Sequence, residues 1–331
     1  MPVISLSSGP QFESVNGETI LDAASKADIR LPYSCKTGRC STCKCKVIQG
    51  QSIALQKEVG LSSQEIAEGW ILSCVRSAET DVIIEAKDLS DIDFPTIKTL
   101  PCKIDKLQRT APDVIQVNLR LPPNADFKFI PGQYIDLIGL NGVRRSYSIA
   151  KKSLNNKQLE IHIRAVVGGV MSEYWFMHAK LNDLLRLNGP LGTFFLREVV
   201  GMDLVFLATG TGIAPIIAML ESLKIRNPNL RPRSVTLLWG GRVLADLYSE
   251  VPNVGDDFQY VPVLSRADSS WAGARGYVQC ELMKMQPDLS RAVVYACGSE
   301  AMIHSAKELL TKNGLPSNRF YSDAFVCSSS K

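Results

Sequence analysis

The sequence predicts a multidomain protein: a small α+β unit, then an antiparallel β-barrel, then an α/β domain with a parallel sheet. Three observations carry this reading. Cysteines 35, 40 and 43 form a Cys-x4-Cys-x2-Cys run, and Cys74 follows after a long gap. Short strands separated by turn residues fill residues 99–199, the pattern of a small barrel that hides its sheet edges. From residue 200 onward, apolar strand runs alternate with glycine turns and helical stretches, which predicts parallel strands with crossover helices.

Length and composition agree. The 331 residues hold material for two or three domains. Hydrophobic residues make up 45% and charged residues 21%, the balance of a soluble globular protein. No stretch approaches the ~20 apolar residues of a membrane span. Met1-Pro2-Val3-Ile4-Ser5-Leu6 lacks the basic and apolar segments of a signal peptide. Nine cysteines without an export signal predict a reducing cytoplasm. The net charge of +4 is uneven: residues 1–92 hold nine Lys/Arg and twelve Asp/Glu, so this part is acidic and the remainder basic. That asymmetry suits docking and attraction of anionic nucleotides, although a solvated surface explains charges this modest as well. No basic run interleaved with aromatics marks a nucleic-acid site.

Within residues 1–92, alternation in Val3-Ile4-Ser5-Leu6 and the Asn16-Gly17 pair predict an opening hairpin. Residues 20–27 have helical spacing, and Val82-Ile83-Ile84-Glu85 reads as a closing strand. The polar stretch from Asp88 to Lys98, with Pro95, is a linker. The middle region carries strands at 114–119, 133–137, 146–149 and 159–163, with turns at Pro122-Pro123-Asn124 and Asn155-Asn156. Beyond 200, buried-strand runs lie at 204–208, 235–239 and 293–297, and an apolar helix runs from Ile213 to about Lys224.

The cysteine spacing is that of a plant-type [2Fe-2S] centre, with Cys35, Cys40, Cys43 and Cys74 as ligands. Gly38 lets the loop fold tightly, and small Ser41 and Thr42 leave backbone N–H groups access to the sulfurs. Two disulfides or a zinc framework are the competing readings. Export is not indicated, and zinc favours paired knuckles where this chain has one. Cys45 could compete as a ligand, but as a strand residue it reads more simply as buried packing. No role is assigned to Cys102, Cys280 or Cys327.

Gly210-Thr211-Gly212, followed by Ile213-Ala214-Pro215, lies between a strand and a helix, where a pyrophosphate can approach backbone N–H groups. Cys297-Gly298 repeats the strand–turn–helix context. In Arg144-Arg145-Ser146-Tyr147-Ser148, arginine can bridge phosphate, tyrosine can stack on a flat ring and serine can bond a ring nitrogen. Gly168-Gly169-Val170-Met171-Ser172 leads into a helix and forms another phosphate seat. Singly, each is an ordinary turn or strand; their order beside a cysteine cluster is what informs.

In that order the motifs resemble the ferredoxin–NADP reductase-like flavoproteins fused to an amino-terminal plant-type ferredoxin, nearly end to end. The resemblance implies a β-grasp ferredoxin domain at 1–92, a FAD-binding β-barrel at 99–199 and an NAD(P)-binding α/β domain at 200–331. It implies that Arg145, Ser146, Tyr147, Ser148, Arg164, Gly168, Gly169 and Ser172 bind FAD. Gly210, Thr211, Gly212, Pro215, Arg242, Cys297 and Gly298 would bind the nicotinamide dinucleotide. Tyr147, Ser148, Cys297 and Phe325 would stand at the reacting rings, although Phe325 reads equally as a packed aromatic near the chain end. Asp246 could hold a ribose hydroxyl or cap a turn, while Arg242 and Arg266 tolerate a 2′-phosphate; the resemblance favours NADH. Electrons would pass from NADH through FAD and the cluster to a partner protein. In residues 131–137, 144–150, 189–195, 295–303 and 320–326 the branch serving CDP-3,6-dideoxysugar and O-antigen biosynthesis looks particularly close, which implies a pyridoxamine-phosphate-dependent sugar dehydrase as acceptor. The reductase component of an aromatic or hydrocarbon oxygenase is the alternative, and a non-enzymatic iron–sulfur carrier or sensor is the rival from another class.

Overall fold

The structure is a computed structural model that describes residues 1–139, 142–152 and 157–325. The expected Asn155-Asn156 turn and Cys327 lie outside the described residues. The chain forms two compact units. The first comprises Met1–Phe94 together with the described residues 322–325, and the second comprises Pro95–Tyr321.

In the first unit, β1 (Val3–Leu6) pairs antiparallel with β2 (Gln11–Glu13) and parallel with β7 (Val82–Glu85). The hairpin turn is not at Asn16-Gly17. It lies at Ser7–Pro10, where Gly9 takes φ +117° and the Leu6 N–H donates to the Pro10 carbonyl. Asn16-Gly17 instead makes the turn into α1 (Ile20–Lys26), whose first turn is capped by the Thr19 hydroxyl accepting from the Asp22 N–H. A dipeptide of this kind marks a turn, and only the partner strand's alternation says which pair of elements it joins. Then follow β3 (Lys44–Gln49), β4 (Ser52–Ala54), α2 (Ser63–Ala67), β5 (Trp70–Leu72) and β6 (Arg76–Ala78). The main sheet runs β2-β1-β7-β3-β5. Ile20, Leu21, Ala23 and Ala24 of α1 join the core with Ile4, Leu72 and Ile84.

The second unit opens with β8 (Lys98–Ala111), a long strand that the sequence did not disclose, because its apolar and polar residues lose their alternation at two register shifts. With β9 (Val114–Arg120), β10 (Tyr134–Ile138), β11 (Arg144–Lys152), β12 (Gln158–Arg164) and β13 (Leu184–Leu191) it closes a barrel in the order β10-β11-β12-β9-β8-β13. The short helix α3 (Val170–Glu173) precedes β13. Closure leaves no barrel strand edge unpaired. The barrel core includes Ile104, Val117, Leu119, Ile135, Ile149, Ile161 and Trp175.

The second sheet runs β17-β16-β15-β14-β18-β19, with β14 (Asp203–Thr209), β15 (Ser234–Gly241), β16 (Phe258–Leu264), β17 (Ala274–Arg275) and β18 (Ala292–Gly298) in this unit and β19 (Phe320–Ala324) leaving it after Tyr321. Helices α4 (Ile213–Lys224), α5 (Val278–Lys284) and α6 (Glu300–Lys312) connect it. Strand β14 is parallel to both β15 and β18, with Ala208 opposite Cys297, so the first glycine turn and Cys297-Gly298 emerge at neighbouring strand ends. This is where open α/β sheets bind ligands. Among the described residues, no helix is long and apolar enough to cross a membrane.

Ile161 is fully buried and lies opposite Val117 on one side and Ile149 on the other. Ile161→Ala is expected to cost about 2–5 kcal/mol through the cavity it leaves. Denaturant unfolding followed by near-UV signal checks this.

Candidate functional site

The cysteine run occupies the loop between α1 and β3, and Cys74 sits in a short helical turn after β5. The structure brings these thiols together as two pairs. The Cys35 N–H donates to Cys40 Sγ at 3.5 Å, and the sulfurs of Cys43 and Cys74 lie 3.1 Å apart. Within each pair a shared proton holds one thiol below and the other above the ordinary range. Cys35 is lowered by its bond to Cys40, and Cys74 by its bond to Cys43; burial adds to the rise of Cys40 and Cys43. Among the described residues, no three Cys, His, Asp or Glu side chains converge as for a single ion. Two pairs fit a two-iron group, in which four thiolates divide between two metals. Gly38 is required: at φ +72° a Cβ would lie 2.8 Å from the Lys57 carbonyl oxygen. The Thr37 N–H already points at Cys35 Sγ at 3.4 Å. Cys45 is buried in β3 opposite Ile71, and burial pushes its thiol up to about 12, so it belongs to the core.

The second unit holds the residues expected at the flavin. On β11, Arg145, Ser146, Tyr147 and Ser148 lie opposite Leu137, Asp136, Ile135 and Tyr134. Ser146 donates to the Asp136 carboxylate at 2.6 Å. Trp175 Nε1 donates to the Tyr147 hydroxyl at 3.0 Å, which fixes the ring edge-on to the indole; burial pushes that phenol up to about 12. Trp175 was not singled out in the sequence, where it is one of several aromatics after the Gly168-Gly169 turn. Gly168 takes φ +73°, and Gly169 caps α3 without any side-chain bond. The Ser172 hydroxyl accepts from the Val166 N–H at 2.9 Å and so shapes the turn. Val167 and Val170 are exposed beside it. A glycine turn with no side-chain cap among the described residues, next to open apolar surface, fits a ligand with phosphates and a flat ring.

The nucleotide turns meet directly. A Cβ at Gly212 would strike the Cys297 carbonyl, and one at Gly298, where φ is +137°, would strike Thr209. The Thr209 hydroxyl accepts from the Ser299 N–H at 3.1 Å, and Trp239 Nε1 donates to the Gly210 carbonyl at 3.0 Å. Thr211, Pro215 and Cys297 are buried around this junction. No side chain caps α4; the turn that leads into it is closed by the Ile213 N–H, which donates to the carbonyls of Gly210 and Thr211. Arg164, at the end of β12, reaches the same turn: a Cβ at Gly210 would lie 2.5 Å from its Nη1. Its guanidinium donates to Asp113 at 2.9 Å and to Asp246 at 2.7 Å. Arg242 donates to the same two carboxylates, from its backbone N–H to Asp246 at 2.7 Å and from Nη2 to Asp113 at 3.2 Å. Burial works against ionisation of Asp246, but the bonds from Arg242 and the charge of Arg164 outweigh it and hold the carboxyl at about 2. Asp113 escaped notice in the sequence because only folding brings it to Arg164. Phe325 is half-buried and groups with the first unit.

Comparison with known proteins matches this architecture. A 2Fe-2S iron-sulfur cluster binding domain fits residues 4–79, an oxidoreductase FAD-binding domain residues 101–196 and an oxidoreductase NAD-binding domain residues 206–308. The CDP-6-deoxy-L-threo-D-glycero-4-hexulose-3-dehydrase reductase of Yersinia pseudotuberculosis is 42% identical over 323 residues, 96% of either chain. The chain belongs to this family of iron–sulfur flavoprotein reductases. The reductase is also 36% identical to protein RfbI of Salmonella typhimurium, over 96% of its own length and 94% of that protein. Among solved structures, the Amycolatopsis cytochrome P450 reductase GcoB superposes with a TM-score of 0.75 at 28% identity, covering 99% of the reductase and 100% of GcoB. The reductase is thus an electron-transfer oxidoreductase that uses FAD, a nicotinamide dinucleotide and a [2Fe-2S] cluster.

Asp246→Asn removes the charge that two arginines share, and stability is expected to fall by about 2–3 kcal/mol at neutral pH. Because the folded carboxyl titrates below its unfolded value, this stabilisation is complete above about pH 4 and is lost as pH falls toward 2. Denaturation midpoints between pH 2 and 7 should therefore drop more steeply on the acid side for the native reductase than for Asp246→Asn.

Proposed function

We propose that the reductase passes electrons from NADH, through FAD and the [2Fe-2S] cluster, to a pyridoxamine-phosphate-dependent dehydrase in CDP-3,6-dideoxysugar biosynthesis. The observation that carries this reading is the 42% identity, sustained over 96% of the chain, to a protein named as the reductase of a CDP-hexulose dehydrase. The likeness to a cytochrome P450 reductase, at 28%, supports a second reading with the same internal path and an oxygenase as acceptor. The absence of disulfides among the described cysteines is in keeping with work in the cytoplasm.

Bound to the reductase, FAD would supply the conversion between the two-electron chemistry of the nicotinamide and the one-electron chemistry of the cluster. The chain's own residues hold and orient. Cys35, Cys40, Cys43 and Cys74 supply the four thiolates. Arg145 would hold the flavin phosphates, and Tyr147, its hydroxyl tied to Trp175, and Ser148 would hold the ring system. Gly168, Gly169 and the turn closed by Ser172 take the pyrophosphate of FAD. Gly210, Thr211 and Gly212 receive that of NADH, and Cys297-Gly298 lines the nicotinamide pocket. The commitment of Arg242 to Asp246 and Asp113 supports NADH over its phosphorylated form, since that cation is already paired.

Reconstitution tests the acceptor. The purified reductase, a pyridoxamine-phosphate-dependent dehydrase, its CDP-sugar substrate and NADH should form the 3-deoxygenated sugar. Turnover only with an oxygenase component would support the second reading instead. Cys74→Ser should bleach the iron–sulfur absorption, whereas Cys45→Ser should keep it, as judged by visible spectra and iron content. Arg145→Ala should weaken FAD retention about tenfold or more through loss of a charge-assisted phosphate contact, measured by flavin fluorescence after gel filtration.

A further inference from the structure

Three anchors hold the cysteine loop. The first is the Glu58–Leu61 segment: the Gly60 N–H donates to the Gly38 carbonyl at 2.9 Å, and the Ser41 hydroxyl donates to the Gly60 carbonyl. The second is the turn that carries Cys74, where the Ser73 N–H and hydroxyl both donate to the Cys43 carbonyl at 3.1 Å. Neither is distant in sequence. The third comes from the far end of the chain. The Ser34 hydroxyl donates to the Asp323 carboxylate, the Ser322 hydroxyl donates to the Cys40 carbonyl at 3.1 Å, and the Thr42 hydroxyl donates to the Ser322 carbonyl at 2.7 Å.

These three bonds are distributed along the whole loop. Ser34 immediately precedes Cys35, Cys40 is itself a proposed ligand, and Thr42 immediately precedes Cys43. Ser34, Ser322 and Asp323 are all buried. A buried carboxyl costs free energy unless it is bonded, and among the described residues the Asp323 side chain accepts its hydrogen bond from a loop residue, Ser34.

We infer that Ser322 and Asp323 are positioning residues for the iron–sulfur cluster, acting through Ser34, Cys40 and Thr42 to set the conformation of the ligand loop. The inference rests on the ligand assignment proposed above. Hydrogen bonds that orient ligands and their neighbouring peptides tune a metal group as well as hold it. The third anchor therefore fixes where the N–H groups of the loop point relative to the sulfurs.

The test uses the full-length holoprotein. Asp323→Ala, Ser322→Ala and Asp323→Asn are compared with the native protein by EPR of the dithionite-reduced cluster, by redox titration of its midpoint potential, and by the rate of iron release to a chelator. Asp323→Ala is expected to change the g-values, shift the potential and speed iron release about tenfold. Asp323→Asn keeps an oxygen that accepts from Ser34, and it should restore native g-values and release rate. Ser322→Ala should give a smaller change of the same kind, and it serves if Asp323→Ala fails to fold. FAD content should stay native in all three. Native spectra, potential and iron release in both Asp323→Ala and Ser322→Ala would overturn the inference, as would an Asp323→Asn variant no better than Asp323→Ala. A parallel Cys74→Ser sample separates the two claims: loss of its cluster beside an unaltered Asp323→Ala sinks only the inference, whereas an intact Cys74→Ser cluster sinks the ligand assignment.

Discussion

One carboxylate, that of Asp246, gathers the parts of the second unit that handle nucleotides. It accepts from Arg164 at the end of a barrel strand and from Arg242 at the end of a sheet strand, and Asp113 on a barrel turn joins both arginines. Exposed ion pairs contribute little, but here the shared anion is buried and its partners converge on it from two domains. Through Arg164 the same network touches Gly210, the first residue of the glycine turn after β14. The orientation of the barrel against the parallel sheet, and so of any flavin against any nicotinamide, is tied to this cluster of four charges.

Close packing supplies the other half of the arrangement. Gly212 lies against the Cys297 carbonyl and Gly298 against the Thr209 hydroxyl and backbone, so two strand–turn–helix motifs share one close-packed surface. A glycine demanded by steric contact differs from one demanded by a turn. Gly212 has ordinary helical angles and is required only by its neighbour, whereas Gly298 is required on both grounds.

Much of this was legible in the sequence because chemistry and periodicity coincide there. The cysteine spacing, the short alternating strands and the strand–glycine–helix passages at Gly210 and Cys297 each depend on local order, and local order is what a sequence displays. Misplacement of the opening hairpin came from a turn signal at Asn16-Gly17 that belongs to a helix entry. Strand β8 was hidden by its two register shifts. The partners missed altogether, Asp113 for Arg164, Trp175 for Tyr147 and Asp323 for Ser34, stand 51, 28 and 289 residues away in sequence. At such separations side-chain pairing follows from topology, and no motif announces it.

The cluster-bearing unit is discontinuous: its last strand-end residues lie beyond the whole of the barrel and the nucleotide domain. During synthesis the cysteine loop leaves the ribosome long before Ser322 does. At ~5–20 residues per second the interval is on the order of tens of seconds. Throughout that time the loop has two of its three anchors, and the last becomes available only once Ser322 and Asp323 have been made. The order of events in maturation is thereby written into chain topology, with the iron-binding loop reaching its final form only after the intervening unit has been synthesised.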